Sequence, residues 1–217
     1  MTCAGCRALI SGNDNDKNLA WKIEEAFPNC ACQAYSVGEG SPGLVEDTEI
    51  LYRLVVSPVD LDLRTGTILS TVFEKAYQNG LSVFRECATD EHIEALVTDL
   101  LTVKQGAQPR TVLALFRIEC AAIRTLSEQP TGRLFCVYDE TVPRKRDAAL
   151  PRVPTHASVF QRVPAPGTEY RKSAMQAVNH RLYVLLKDAR IAVEDFRTGL
   201  LTRLNQRSLA GEFQIVV

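Results

Sequence analysis

"ILYRLVVSP", residues 50–58, is the stretch on which the fold turns. Ile50 to Val56 reads as a β-rich apolar run, closed by Ser57-Pro58 and interrupted by a single arginine, Arg53. An isolated charge inside a buried strand is prohibitively costly, so Arg53 must be paired or must reach a cleft. The run is therefore expected to open the main domain and to carry a functional cation from its first strand.

Working downstream, "ILSTVFEKAYQNG" (68–80) reads as a short helix stopped by Gly80. "NGLSVFREC" (79–87) takes a polar turn straight into a strand whose Ser82 and Arg85 are candidate pocket residues. "ATDEHIEALVTDLLTVKQG" (88–106) is the clearest helix. Thr89 or Asp90 caps it, Ile93, Leu96, Val97, Leu100 and Leu101 repeat at helical spacing, and Gly106 ends it. "RTVLALFRI", "RLFCVYD" and "THASVFQRV" read as strands, "ECAAIRTL" as a short helical piece, 170–204 as mostly helical, and "GEFQIVV" as a final strand. The elements are uneven and no Gly-rich phosphate loop follows any strand. The fold expected is α+β, a mixed central sheet with flanking helices and a small cysteine-containing N-terminal segment.

Upstream, "YSVGEGSPGLVEDTE" (35–49) reads as a linker. The division expected is thus 1–34, 35–49 and a main domain over 50–217. Four of the seven cysteines crowd the first part, as Cys3-x2-Cys6 and Cys30-x-Cys32, on either side of a short helix. If that helix returns the chain, Cys3, Cys6, Cys30 and Cys32 would form a structural zinc site. Small buried cysteines are the plainer alternative. An odd cysteine count in a chain of intracellular appearance argues against a disulfide framework.

With 217 residues, 46% hydrophobic and 24% charged, the composition is that of a globular domain. A net charge of −1 argues against a dedicated non-specific DNA binder. No apolar run approaches a bilayer span, and no secretory pattern opens the sequence, so a cytoplasmic protein without a membrane partner is expected.

Histidines are few. His92 and His180 fall on helices, whereas His156 sits at the mouth of a strand after a proline-stiffened loop, where catalytic groups concentrate. With no G-x-S-x-G, an α/β-hydrolase is disfavoured. A metal-independent ribonuclease would use His156 as acid or base and Arg53 or Arg85 against phosphorane charge, with "PRKRD" (143–147) on RNA phosphates. A non-enzymatic alternative is a zinc-stabilised interaction module offering the amphipathic helix 171–187 to a protein partner.

Two resemblances add to this reading. Arg53 on an early strand, Ser82 (or Ser70) on a middle one and Glu212 on a late one resemble the pattern of ADP-ribosyltransferase-like folds. That resemblance implies Arg53 and Ser82 holding a nucleotide, NAD, and Glu212 stabilising an oxocarbenium-like transition state, with His156 nearby. The family's Ser-Thr-Ser triplet is absent, as is a second acid two residues before Glu212. Over residues 51–163, "LYRLVVSP", "TGTILSTVFEKA", "GLSVFRE", "RTVLALF" and "PTHASVF" are similar to a group of small uncharacterised bacterial proteins. That similarity implies that Arg53, Ser82, Arg85 and His156 belong to one unit. The favoured expectation is an ADP-ribosyltransferase-like enzyme with Glu212 and His156 catalytic and Arg53, Ser82 and Arg85 binding the cofactor.

Overall fold

A computed structural model describes residues 4–11, 13, 16–36, 38, 40–128, 132–144, 149–162 and 172–215. The principal elements are α1 (Ala4–Ser11), α2 (Leu19–Ala26), β1 (Ile50–Ser57), β2 (Leu81–Arg85), α3 (Asp90–Leu101), β3 (Thr111–Glu119) and α4 (Cys120–Arg124). There follow β4 (Phe135–Val142), β5 (Val153–Gln161), α5 (Lys172–Lys187), β6 (Arg190–Ala192) and α6 (Leu200–Leu209). Six strands form one sheet in the order β6-β3-β1-β2-β5-β4. The fold is α+β with a central sheet and flanking helices, as expected. Every ladder in the six-stranded sheet is antiparallel. The parallel pairing lies apart from it, between Gln214–Ile215 and Val103–Lys104.

Both faces of the sheet are covered, which is why β1 reads as a nearly continuous apolar run and β5 is buried along almost its whole length, its Thr155, His156, Ser158 and Gln161 included. On one face Leu51, Val83, Phe116 and Val159 pack with Phe73 of the 3₁₀ segment Ser70–Tyr77 and with Val178, Leu182 and Leu186 of α5. That four-residue spacing puts the α5 residues on one stripe. On the other face Leu54, Val56 and Phe84 meet Ile93 and Val97 of α3 and Leu201 and Leu204 of α6. Next to that layer, Tyr138 and Phe160 are covered by Ile10 of α1 and Leu19 and Ile23 of α2. Among the described residues no helix is long and apolar enough to cross a membrane.

Gly80 shows how tightly the second layer fits. It enters β2 at φ +94, and a Cβ placed there would lie 2.6 Å from the Phe160 ring. Backbone strain and overpacking both oppose a side chain. Gly80→Ala is expected to destabilise the protein by about 2–4 kcal/mol in urea unfolding.

The cysteines are used differently from the zinc expectation. Cys6 is bonded to Cys32 and Cys30 to Cys136, while Cys3 lies outside the described residues. Three of the four expected ligands are thus consumed in disulfides, and metal ligation requires thiolates. The disulfide framework thought improbable from the cysteine count is therefore present. Cys136 lies on β4, and only the docking of the N-terminal segment against that strand brings it to Cys30. Peptide mapping without reductant is expected to recover Cys6–Cys32 and Cys30–Cys136. One zinc per chain with all four thiols reduced would overturn that pairing.

The described residues of 35–49 are docked, not a free tether. Val45 is buried in the core, the Ser36 and Ser41 hydroxyls donate to Asp139, and the carbonyls of Gly43 and Leu44 accept from Arg85.

Candidate active site

The site begins with an irregularity in the sheet. β1 pairs with β3 along its length but with β2 only at Leu51↔Arg85 and Tyr52↔Phe84. Beyond that point the two central strands part, and a cavity of about 430 Å³ occupies the split. Val72 and Lys75 reach it from one layer, Leu96 and Leu100 of α3 from the other, with Tyr52 and Phe84 between. This is the size range of pockets for small ligands.

Strand register brings Ser82 and His156 to that cavity's wall, with Glu140 behind them. His156 on β5 stands opposite Phe84 on β2 and opposite Glu140 on β4, and Ser158 stands opposite Ser82. Side chains alternate along strands, so Ser82, His156 and Glu140 share one face. Ser82 Oγ lies 2.6 Å from His156 Nε2. His156 Nδ1 lies 3.1 Å from Glu140 Oε1, although the N–H does not point along that line. Glu140 Oε1 is itself fixed by the Ser158 hydroxyl, which donates to it at 2.6 Å. The imidazole is only 1% exposed, whereas Ser82 is exposed. The result is a serine hydrogen-bonded to a histidine whose other ring nitrogen lies beside a carboxylate, with the serine at the open end. Such a constellation is recognised by geometry and roles, not by position in the chain.

The backbone of Ser82 contributes as well. Glu86 N–H donates to Ile50 O across the β1–β2 ladder, and Ser82 O accepts from Arg53 Nη1 at 3.4 Å. Even-numbered residues of β2 therefore turn their backbone groups towards β1, and a residue's N–H and C=O point the same way in a strand. The Ser82 N–H is thus aimed into the split, beside its own hydroxyl.

Arg53 lines the same cavity, as its placement within an apolar run anticipated. Its Nη2 makes a long contact of 3.5 Å to Val72 O, and its buried Nε has no partner. No carboxylate of the described residues comes within ion-pair distance of it. Burial pushes the Arg53 guanidinium pKa down, with the nearby Asp60 carboxylate opposing.

The remaining predicted residues lie elsewhere. Arg85 points to the face opposite Ser82, 3% exposed, where it holds Glu49 through two bonds of 2.7 Å and Asp139 at 2.8 Å. It is absent from the cavity wall and has no valence left for a cofactor. Glu212 is exposed at the turn after α6, paired with Arg207 at 2.8 Å. It is off the central sheet because the chain end pairs with Val103–Lys104, while β6 takes the edge next to β3. Arg53, Ser82 and Glu212 therefore do not converge. Of "PRKRD", only Pro143 and Arg144 are described, and Arg144 is paired with Asp99 at 2.9 Å.

Glu140 was not legible as a site residue. Its one signal was an acid closing the apolar run "RLFCVYDE", a position that Asp139 shares while serving the other face. The free thiols of the described residues offer no rival nucleophile: burial pushes Cys120 up to about 12 and also raises Cys87.

Comparisons with family models, with curated proteins and with solved structures return no match to this chain.

Proposed function

We propose that the protein is a serine-dependent hydrolase acting on a small ester or amide. The reading rests on one observation, the Ser82–His156 hydrogen bond at the wall of the cavity in the split sheet, with the Glu140 carboxylate 3.1 Å behind the imidazole. Ser82 Oγ attacks the acyl carbon as its proton passes to His156 Nε2, and Glu140 holds the imidazole with Nε2 towards the serine. The negative charge that develops on the acyl oxygen falls where the Ser82 N–H is aimed, and a preorganised donor there stabilises the transition state. His156 then returns the proton to the leaving alcohol or amine. Water, activated by the same imidazole, hydrolyses the acyl-serine and restores the Ser82 hydroxyl. The test is covalent capture by a fluorophosphonate, with the adduct mapped to Ser82 by mass spectrometry.

The other activities considered fit less of the site. An ADP-ribosyl transfer would lack its acid, since Glu212 is outside the cavity. A ribonuclease would keep His156 and Arg53 but lose Arg85, and Arg144, the one described basic residue of 143–147, is paired with Asp99. Disulfides persist in oxidising surroundings and are rare in the reducing cytosol, so the two found here favour an oxidising compartment over the cytoplasmic one expected.

A further inference from the structure

Arg53 is a liability to the fold as it stands. A guanidinium is always charged, and taking it out of water is costly unless an anion and good hydrogen bonds compensate. Here the compensation is two carbonyl contacts of 3.4 and 3.5 Å and no aligned carboxylate among the described residues, while Nε is buried without a partner. Groups left in such a state are retained where function requires them. The outer nitrogens border the cavity, and Nη1 lies against the backbone oxygen of Ser82 itself.

We infer that Arg53 is a substrate-recognition residue that takes a carboxylate carried by the acyl group, close to the bond that Ser82 cleaves. The inference rests on the hydrolase reading for the words "acyl group" and "cleaves", but not for the anion site itself. Three observations specify the ligand. The contact between Arg53 Nη1 and Ser82 O puts the anion within one residue's span of the nucleophile. Arg53, Lys75 and Arg110 border the cavity against Asp60 and Asp99, Asp60 held by the Val56 N–H at 2.9 Å, so the small positive excess of the lining matches a singly charged group better than a phosphate dianion. Tyr52, Leu54, Phe84 and Leu100 provide an apolar wall for the rest of the molecule. The substrate class is a small carboxylic acid with an apolar body and an ester or amide bond near the carboxylate. The reaction balances without a co-reactant beyond water: the acyl–O or acyl–N bond breaks, the acyl–Oγ bond forms, and water reverses the latter.

Calorimetry with phenylacetate, its uncharged amide phenylacetamide and inorganic phosphate tests this on the wild-type protein. Phenylacetate is expected to bind about tenfold or more tighter than the amide, the effect of one charge-assisted contact, and tighter than phosphate. Arg53→Met should erase the preference for the acid while melting no lower than wild type, because an uncompensated charge is replaced by an apolar chain of similar length. Ser82→Ala should keep the preference. Equal binding of acid and amide to the wild type, or a tighter site for phosphate, would overturn the inference, and neither result depends on a variant folding. Fluorophosphonate capture by the wild type is read separately. Capture without an acid preference removes the carboxylate site alone, and an Arg53-dependent acid preference without capture removes the hydrolase alone.

Discussion

Ser82→Ala is expected to abolish fluorophosphonate capture and to lower hydrolysis of activated esters by about 10⁴-fold, with little change in stability. The reasoning is geometric. The alcohol is a weak nucleophile unless a base takes its proton, and His156 Nε2 at 2.6 Å is the one group placed to do so. His156→Ala should therefore cost about as much as Ser82→Ala, and the double variant should be no slower than either single one, because the two act as a unit. Glu140→Gln should cost less, between about 10² and 10⁴, since it alters only the orientation and charge behind the imidazole. Thermal melts on each variant separate lost chemistry from lost folding. An adduct that survives in Ser82→Ala, or that maps to another residue, would sink the hydrolase reading.

Arg85→Met is expected to destabilise the protein by about 3–5 kcal/mol in urea unfolding, the largest single effect on stability anticipated here. Arg85 holds the carboxylates of Glu49 and Asp139 and the carbonyls of Gly43 and Leu44, so its loss leaves the Asp139 carboxylate, with no exposed side-chain surface, without its cation. Burial already pushes the Asp139 carboxyl up, opposed by the hydroxyls of Ser36 and Ser41 and by the Arg85 charge. Without Arg85 it should rise further. A carboxyl raised above its unfolded value is stabilised by protonation. Its cost is absent below the unfolded value and grows as the pH climbs towards the folded one. The deficit of Arg85→Met should therefore narrow on acidification, and Arg85→Met with Asp139→Asn should recover part of it at neutral pH. A loss below about 1 kcal/mol, the scale of an exposed pair, would show that the network contributes little.

The contrast between the two arginines marks where sequence reading reaches its limit. Both interrupt or close an apolar strand, and both read from sequence as pocket residues. Arg53 lies where β1 and β2 part, and Arg85 lies where they still pair. Leu51 pairs with Arg85, so both arginines start from the same face. The point where β1 and β2 diverge, and the 43–49 segment packed on Arg85, decide whether an arginine meets a ligand or two carboxylates. Neither feature is local to the residues concerned. The same holds for Glu140: nothing in "VYDE" separates it from Asp139, yet their register against β5 sends them to opposite faces. Cys136 likewise reads as one more apolar residue of a buried strand until the N-terminal segment docks on it.

By itself the sequence determined the long strands and the helix 90–101, but not α1, nor β6, which forms inside the stretch read as mostly helical. Hydrophobic runs bounded by Gly, Pro and Asn, helical spacing in 88–106 and the cap at Thr89 are local properties, and the corresponding strands and helices form where they predict. It also determined that a cation in "ILYRLVV" needs a cleft, because the desolvation cost of a charge does not depend on the fold. The tertiary structure alone decided which residues meet: the split between β1 and β2, the diagonal that joins Ser82 to His156, the acid behind it, and the placing of Glu212 off the central sheet, against Arg207. Those are matters of register and strand order, set by long-range packing of both layers against the sheet, and no short stretch of the chain carries them.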